Sequence, residues 1–461
     1  MKNVNKTIAL NIGSMVLLQG IAFFTTPIFT RILGAGQYGI YAVFYSWVMI
    51  FSCILGIGTG TTLSTGRYQF RNEYYEFRSS ILLFGSLISV LIIVIGMIFI
   101  RPISYILEYS VLMTVLIYIM AFAQYIINFA QNAFVYEKQA DKNFILSVLL
   151  SFSTVALSLI LIPHFANENK VFGRIYGAVI PTVIIAIIVW LMLYLKKPSV
   201  LHKKYCKYGL VVGVPVVFHT LAQNVLTQSD RVMMQHMDIS DVEIGRYSLF
   251  YTLVSVLGIV LNSLNTSWCP FYYDDIDSKN WKELEEKCEN YIELFSVLTI
   301  GFLMLSREVS YVLGGSEYWS GISVIPILVL GVYFTFMYQF PVNFEFFHKK
   351  TQIIAMGTLL AAVVNIILNT VFIPIWGMYG AAVATAISYG ILFILHFFIV
   401  THMKECSYHL KVVKFIPGLL SVLVGILLFY ILCDYWYFRW GIGLLLGCYE
   451  LWRILKRKRV F

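Results

Sequence analysis

The chain has 461 residues, of which 59% are hydrophobic and only 12% charged, against roughly 25% charged in soluble domains. No water-soluble core absorbs that much apolar surface, so a soluble globular protein is excluded. The formal net charge of +9 does not point to nucleic acid, because the basic residues are sorted by loop rather than gathered in a patch.

Apolar stretches near 20 residues recur from end to end, each matching the ~30 Å hydrocarbon thickness when coiled as a helix. Helices are required, because lipid satisfies no backbone hydrogen bond. The first half predicts spans at Ile8 to Thr30, Tyr38 to Leu63, Ile81 to Ile100, Val111 to Tyr136, Phe144 to Ile162, Phe172 to Leu195 and Gly209 to Thr227. The second predicts Gly245 to Trp268, Tyr291 to Leu313, Ile322 to Phe347, Gln352 to Ile373, Met378 to Thr401, Lys414 to Cys433 and Tyr435 to Leu455. The fold class is therefore an all-α polytopic membrane protein of about fourteen helices. The first span is too long, and too laced with Asn11, Ser14 and Gln19, for a cleaved signal peptide. Before the ninth span, Trp281, Leu284, Cys288, Tyr291 and Phe295 recur at helical spacing among Glu and Lys, which predicts an amphipathic lead-in helix of structural role. Six prolines, Pro27, Pro181, Pro215, Pro326, Pro341 and Pro417, fall within spans as candidate kinks.

The N-terminus, the even-numbered loops and the C-terminal tail hold 25 of the 33 Lys and Arg, including Lys196, Lys197, Lys203, Lys204, Lys207 and the run Lys456 to Arg459. The other side has Arg31, Arg101, Lys170, Arg174, Arg231, Arg246, Arg307 and Arg439. The positive-inside rule then puts both termini in the cytoplasm of a multi-pass protein of the cell (plasma or inner) membrane, with anionic lipid as the partner of the basic charge. The cysteines Cys53, Cys206, Cys269, Cys288, Cys406, Cys433 and Cys448 form no CxxC pair, and neither a disulfide framework nor a zinc site is expected.

The two halves repeat. Gly39-Ile-Tyr41-Ala-Val-Phe44-Tyr45 recurs 206 positions later as Gly245-Arg-Tyr247-Ser-Leu-Phe250-Tyr251. Leu159-Ile-Leu-Ile-Pro163 recurs 211 positions later as Thr370-Val-Phe-Ile-Pro374, each followed by a glycine pair, Gly173/Gly177 and Gly377/Gly380; Lys138 and Lys349 share that offset. Matches in the same order at nearly constant offset predict two pseudo-symmetric six-helix lobes. Helices 1–6 occupy residues 1–200 and helices 7–12 residues 201–403; helices 13–14 and the basic tail, 404–461, lie outside the repeat.

Pro27-Ile-Phe-Thr-Arg31-Ile-Leu-Gly34-Ala-Gly-Gln-Tyr38-Gly39-Ile-Tyr41 resembles the N-terminal signature of polysaccharide-repeat-unit (Wzx-type) flippases, in the multidrug/oligosaccharidyl-lipid/polysaccharide transporter superfamily. Asp230-Arg231, Gly245-Arg-Tyr247-Ser and Pro270 resemble the start of that family's second lobe. Its most recognisable segment is similar to Asn365-Ile-Ile-Leu-Asn369-Thr-Val-Phe-Ile-Pro374-Ile-Trp-Gly377-Met-Tyr-Gly380-Ala-Ala-Val-Ala-Thr385. The resemblance implies a MATE-like fold and a non-enzymatic flippase, which moves an undecaprenyl-pyrophosphate-linked oligosaccharide to the outer leaflet by alternating access for cell-surface polysaccharide biosynthesis. Membrane lipids and the pathway's polymerase and glycosyltransferases are the implied partners. No cofactor is expected, and a proton or sodium gradient is the candidate driving force.

Such a substrate asks for cations at its phosphates and for amides at its sugars. Arg31 and Arg231 occupy similar places in the two lobes and are candidate pyrophosphate contacts, with Arg174 a further one; interfacial snorkelling or helix capping is the alternative. Gln124, Asn128, Gln131 and Asn132 share one face of helix 4 and suit either sugar binding or helix–helix hydrogen bonds. Asn365 with Asn369, and Asn262 with Asn265, pose the same choice, with packing favoured for the first pair. For ion coupling the titratable candidates are mid-span His219, whose alternative and favoured reading is a hydrogen-bonded buried histidine, and, near span ends, Asp230, alternatively the partner of Arg231, and Glu345. Rival readings are a multidrug or cation antiporter, a lipid II flippase and, from another class, a membrane glycosyltransferase or polymerase. The last rests on Asp275-Ile-Asp277 alone, and no G-x-x-x-x-G-K-[ST] loop is present.

Overall fold

The computed structural model describes residues 2–403 and 411–457, with side chains from 20 onward except 22 and 457. Cys406, Lys458 and Arg459, and the side chains of Asn11, Ser14 and Gln19, lie outside the described residues. Within them the chain is helical throughout, without strands. The elements of the first half are α1 (Lys2–Ile54), a 3₁₀ segment (Leu55–Thr62), α2 (Leu63–Gln69), α3 (Tyr74–Ile98), α4 (Ile100–Leu107), α5 (Val111–Tyr136), α6 (Ala140–Leu161), α7 (Lys170–Leu195) and α8 (Lys203–His236). Then come α9 (Asp241–Asp277), α10 (Trp281–Leu313), α11 (Ile325–Phe347), α12 (Thr351–Trp376), α13 (Met378–Thr401), α14 (Ile416–Ile431) and α15 (Trp436–Arg457).

Eleven stretches among the described residues are long and apolar enough to cross a membrane, which makes the chain a multi-pass membrane protein. The expected number is larger because α1 holds two spans hinged at Gly34 (φ 74°, ψ 169°), while α10 and α15 carry charges at their ends. In lipid the hydroxyls must be satisfied internally. Ser86, Ser89, Ser147 and Thr182 each donate to the carbonyl four residues back, at 2.7 to 2.9 Å.

Two expectations need correction. The span Tyr38 to Leu63 is not one helix, because the backbone leaves α-geometry at Leu55. Pro326 and Pro417 do not kink spans; they stand in the first turns of α11 and α14, where the missing N–H has no helical partner to lose. The amphipathic lead-in is present as the first turns of α10, continuous with its span.

The duplication is visible in backbone detail. α5 and α11 both end on a lysine in the left-handed region, Lys138 and Lys349, each at φ 59°. Gln139 N donates to Phe134 O at 2.8 Å and Lys350 N to Glu345 O at 2.9 Å, so both turns close with the same six-residue bond. Each turn leads into a helical hairpin pinned by glycine: a Cβ at Gly177 would lie 2.3 Å from Ser158 Cα, and one at Gly380 2.2 Å from Phe372 O.

The chain packs as two compact units, Met1–Gly245 and Arg246–Phe461, so α8 packs with the first half although the repeat groups it with the second. In the first unit Arg78 is wholly buried, with Nη1 2.5 Å from Glu137 Oε1 and Nη2 donating to Leu193 O at 2.6 Å, which ties α3 to α5 and α7. The second unit has an aromatic core in which Trp268 stacks on Tyr272 at 4.5 Å and Phe295 on Phe336 at 4.3 Å. α14 and α15 dock on α10. Arg453 bonds Glu293 at 2.6 Å and pairs with Glu450, and Arg439 pairs with Glu308 toward the other end of α10. This anchors the pair of helices that lies outside the repeat.

Candidate functional site

The 3₁₀ segment reads Leu55-Gly-Ile-Gly-Thr-Gly-Thr-Thr62, and three successive residues, Gly56 (φ 72°), Ile57 (φ 45°) and Gly58 (φ 67°), take left-handed conformations. Glycine is required at Gly58 for a second reason: a Cβ there would lie 2.5 Å from Gly213 O on α8. Unwinding frees backbone groups that lipid cannot satisfy, so the segment must lie against protein or a hydrated space. It does both. Thr61 and Thr62 turn back to Gly58 O and Thr59 O at 2.7 and 2.6 Å, and Thr59 Oγ1 meets the Tyr125 hydroxyl at 3.0 Å.

Beside this break lies a cavity of about 290 Å³. The end of α1 contributes Ser52 and Cys53, the break Gly58, Gly60 and Thr61, α5 Tyr125, Asn128, Phe129, Gln131 and Asn132, and α8 Val216, Val217 and Thr220. Gln124, one turn before Asn128, donates to its Oδ1 at 2.9 Å. Among the described residues neither the Gln131 nor the Asn132 side chain has a hydrogen-bond partner, so both keep donors and acceptors for a ligand. Among the described residues no charged side chain lines the space. Amides, hydroxyls and the faces of Tyr125 and Phe129 suit a neutral polyhydroxylated group rather than a phosphate, for which the lining supplies no cation.

The arginines lie elsewhere. Arg31 is exposed, with Nη1 3.5 Å from Pro27 O. Arg174 is held between Phe29 and Tyr41, at 3.9 and 4.7 Å from their centroids, and donates to Ser158 Oγ at 2.8 Å. Arg231 is buried and donates to Thr227 O at 3.0 Å and Gln228 Oε1 at 3.2 Å; Ser46 on α1 also donates to that oxygen. Toward the cavity the ladder continues with Asn224, which donates to Cys53 Sγ at 3.1 Å. These bonds staple α8 to α1.

Asp230 is buried, next to Arg231. His219 precedes the cavity-lining Thr220, and its buried Nδ1 has no hydrogen-bond partner among the described residues. Glu345 lies in the second unit, buried against His396. Asn365 bonds Thr385 at 3.3 Å and accepts from Asn369 at 3.1 Å, and Asn265 bonds Gln339 and Asn343, both within that unit. Asp275 pairs with Lys287 at 2.7 Å while Asp277 is exposed, so the two acids do not converge.

Sequence reasoning missed two features. The glycine break carried a signal in its alternate glycines, Gly56, Gly58 and Gly60, among threonines inside an apolar run. His396 carried none, since its partner is 51 residues away.

A family model described as "Polysaccharide biosynthesis protein" matches residues 4–273, a stretch that contains the whole cavity. Among curated proteins, the chain is 23% identical over 194 residues to "Lsg locus putative protein 1" of Haemophilus influenzae, covering 39% of this chain and 47% of that one. It is 23% identical over 210 residues to "Probable low-salt glycan biosynthesis flippase Agl15" of Haloferax volcanii, covering 44% and 43%. The chain thus spans about half the length of the curated relatives it matches. Among solved structures, the fold matches the lipid II flippase MurJ in an inward closed conformation, with TM-score 0.71, 16% identity and coverage of 98% and 100%. It also matches an inward-facing multidrug-resistance MATE transporter of the MOP superfamily, with TM-score 0.64, 14% identity and coverage of 88% and 94%.

Proposed function

This chain belongs to the polysaccharide biosynthesis protein family, and from that premise we propose that it is a flippase for a lipid-linked oligosaccharide. The substrate is an undecaprenyl-pyrophosphate-linked repeat unit, carried from the cytoplasmic to the outer leaflet by alternating access without covalent chemistry. The observation that carries the reading is the uncharged, amide-lined cavity beside the glycine break, inside the family-matched region. A discontinuous helix lining a hydrated site is a recurrent transporter device. With both termini cytoplasmic, the cavity falls in the inner half of the membrane, where the glycan arrives. In the same topology Arg31, exposed at the outer end of its helix, is the candidate for meeting the pyrophosphate as the carrier crosses. Arg231, at the outer end of α8, is buried and bonded within the α8–α1 ladder.

The test is reconstitution. Purified protein in liposomes should move a fluorescent polyprenyl-pyrophosphate oligosaccharide between leaflets, and empty liposomes should not. Replacing both Gln131 and Asn132 with Leu should impair that movement. Transport of cationic drugs in place of the lipid-linked sugar would establish the antiporter reading, and turnover of a nucleotide sugar would establish the glycosyltransferase one.

A further inference from the structure

We propose that Glu345 and His396 form a proton-binding site in the second unit, through which a proton gradient drives the transport proposed above. The inference rests on that flippase reading. Glu345, near the end of α11, and His396, on α13, are both wholly buried. Imidazole Nδ1 lies 2.8 Å from each carboxylate oxygen. α12 forms the third wall. A Cβ at Gly357 would lie 2.1 Å from His396 Nε2, so only glycine leaves room for the ring. That Nε2 is buried and has no hydrogen-bond partner among the described residues. Tyr338 of α11 sets its ring edgewise, 5.1 Å from the imidazole. Among the described residues, the groups seen to face the pair are the Tyr338 phenol ring of α11 and the uncharged Gly357 of α12.

Counting protons gives the site its character. Without a proton the pair carries one negative charge, with one it is neutral, and with two it carries one positive charge. Either net charge, sealed among three helices, is costly. The carboxylate and the imidazole share one hydrogen-bonding contact, so they take up or give back a proton as a unit. To exchange that proton it must meet water, which requires α12 to part from α13 at Gly357. Proton exchange is thereby tied to a conformational change, which is the linkage that coupled transport needs. Arginine would hold the carboxylate with a permanent charge, whereas histidine is the side chain that can give its proton back.

The experiment uses the full chain in liposomes with a polyprenyl-pyrophosphate oligosaccharide. Accumulation is compared under a pH gradient, a sodium gradient and no gradient, for wild type, E345Q and H396Q, each checked by thermal unfolding. One pH unit should shift the wild-type transbilayer ratio about tenfold per coupled proton, and E345Q and H396Q should bring that shift toward none. A wild-type ratio that ignores pH and follows sodium overturns the proposal, as does a full pH response in both variants. Should the wild type move no lipid-linked sugar, the flippase reading fails and the site is judged separately. A weakly buffered pH step from about 8 to about 6 should then load fewer protons on H396Q than on wild type, and equal uptake overturns the proposal.

Discussion

Replacing Gln131 and Asn132 together with Leu removes two amides that face the cavity and, among the described residues, bond no protein group. Each amide that bonds a sugar hydroxyl contributes about 0.5 to 1.5 kcal/mol net, and a hydroxyl left dry against leucine adds a penalty of similar size. The pair should therefore cost about 2 to 4 kcal/mol of binding, or about 30- to 1,000-fold in affinity. Stability should move by no more than about 0.5 kcal/mol, because no internal partner is lost. The assay is initial flipping rate against lipid-linked sugar concentration in liposomes, with thermal unfolding in parallel. An unchanged half-saturating concentration in a folded variant would refute the assignment of the cavity to the glycan.

Glu137→Gln leaves the buried Arg78 guanidinium without its counter-charge and should destabilise the first unit by about 3 to 5 kcal/mol, measured by thermal or denaturant unfolding in detergent. Gly58→Val combines a positive φ with a Cβ only 2.5 Å from Gly213 O, so flipping should be lost, while Gly258→Ala, where a Cβ meets nothing within 4 Å, should keep it. Lys138→Gly and Lys349→Gly each relieve a left-handed residue at φ 59°. Each should raise stability by about 1 kcal/mol, and a clear difference between the two in the same unfolding assay would argue against equivalent turns.

Much of the architecture was legible because hydropathy and charge act over whole spans. The spans Val111 to Tyr136 and Met378 to Thr401 coincide with α5 and α13, each bounded by a turn the sequence marks. The offset that matched Lys138 with Lys349 foreshadowed two copies of one turn, and the family resemblance is matched by the family model over residues 4–273. The amide face of helix 4 followed from helical periodicity, and Asn128, Gln131 and Asn132 do line one cavity. What stayed hidden depends on tertiary contact. A hydropathy window averages three glycines into an apolar run, so the break at residues 55–62 reads as helix until Gly213 and Tyr125 close in on it. The pairing of Glu345 with His396 needs two helices brought side by side and a third with no side chain at Gly357. Pro326 and Pro417 were misread as kinks because the helix starts shift by a few residues, which changes what a proline costs.

The most direct measurement is leaflet exchange of a labelled polyprenyl-pyrophosphate oligosaccharide by the purified protein in liposomes, read by the accessibility of the label to an added quencher. Wild type should expose label from the inner leaflet, and the Gln131→Leu/Asn132→Leu variant should do so only at far higher substrate concentration. Label that stays protected in wild-type liposomes as it does in empty ones would contradict the account.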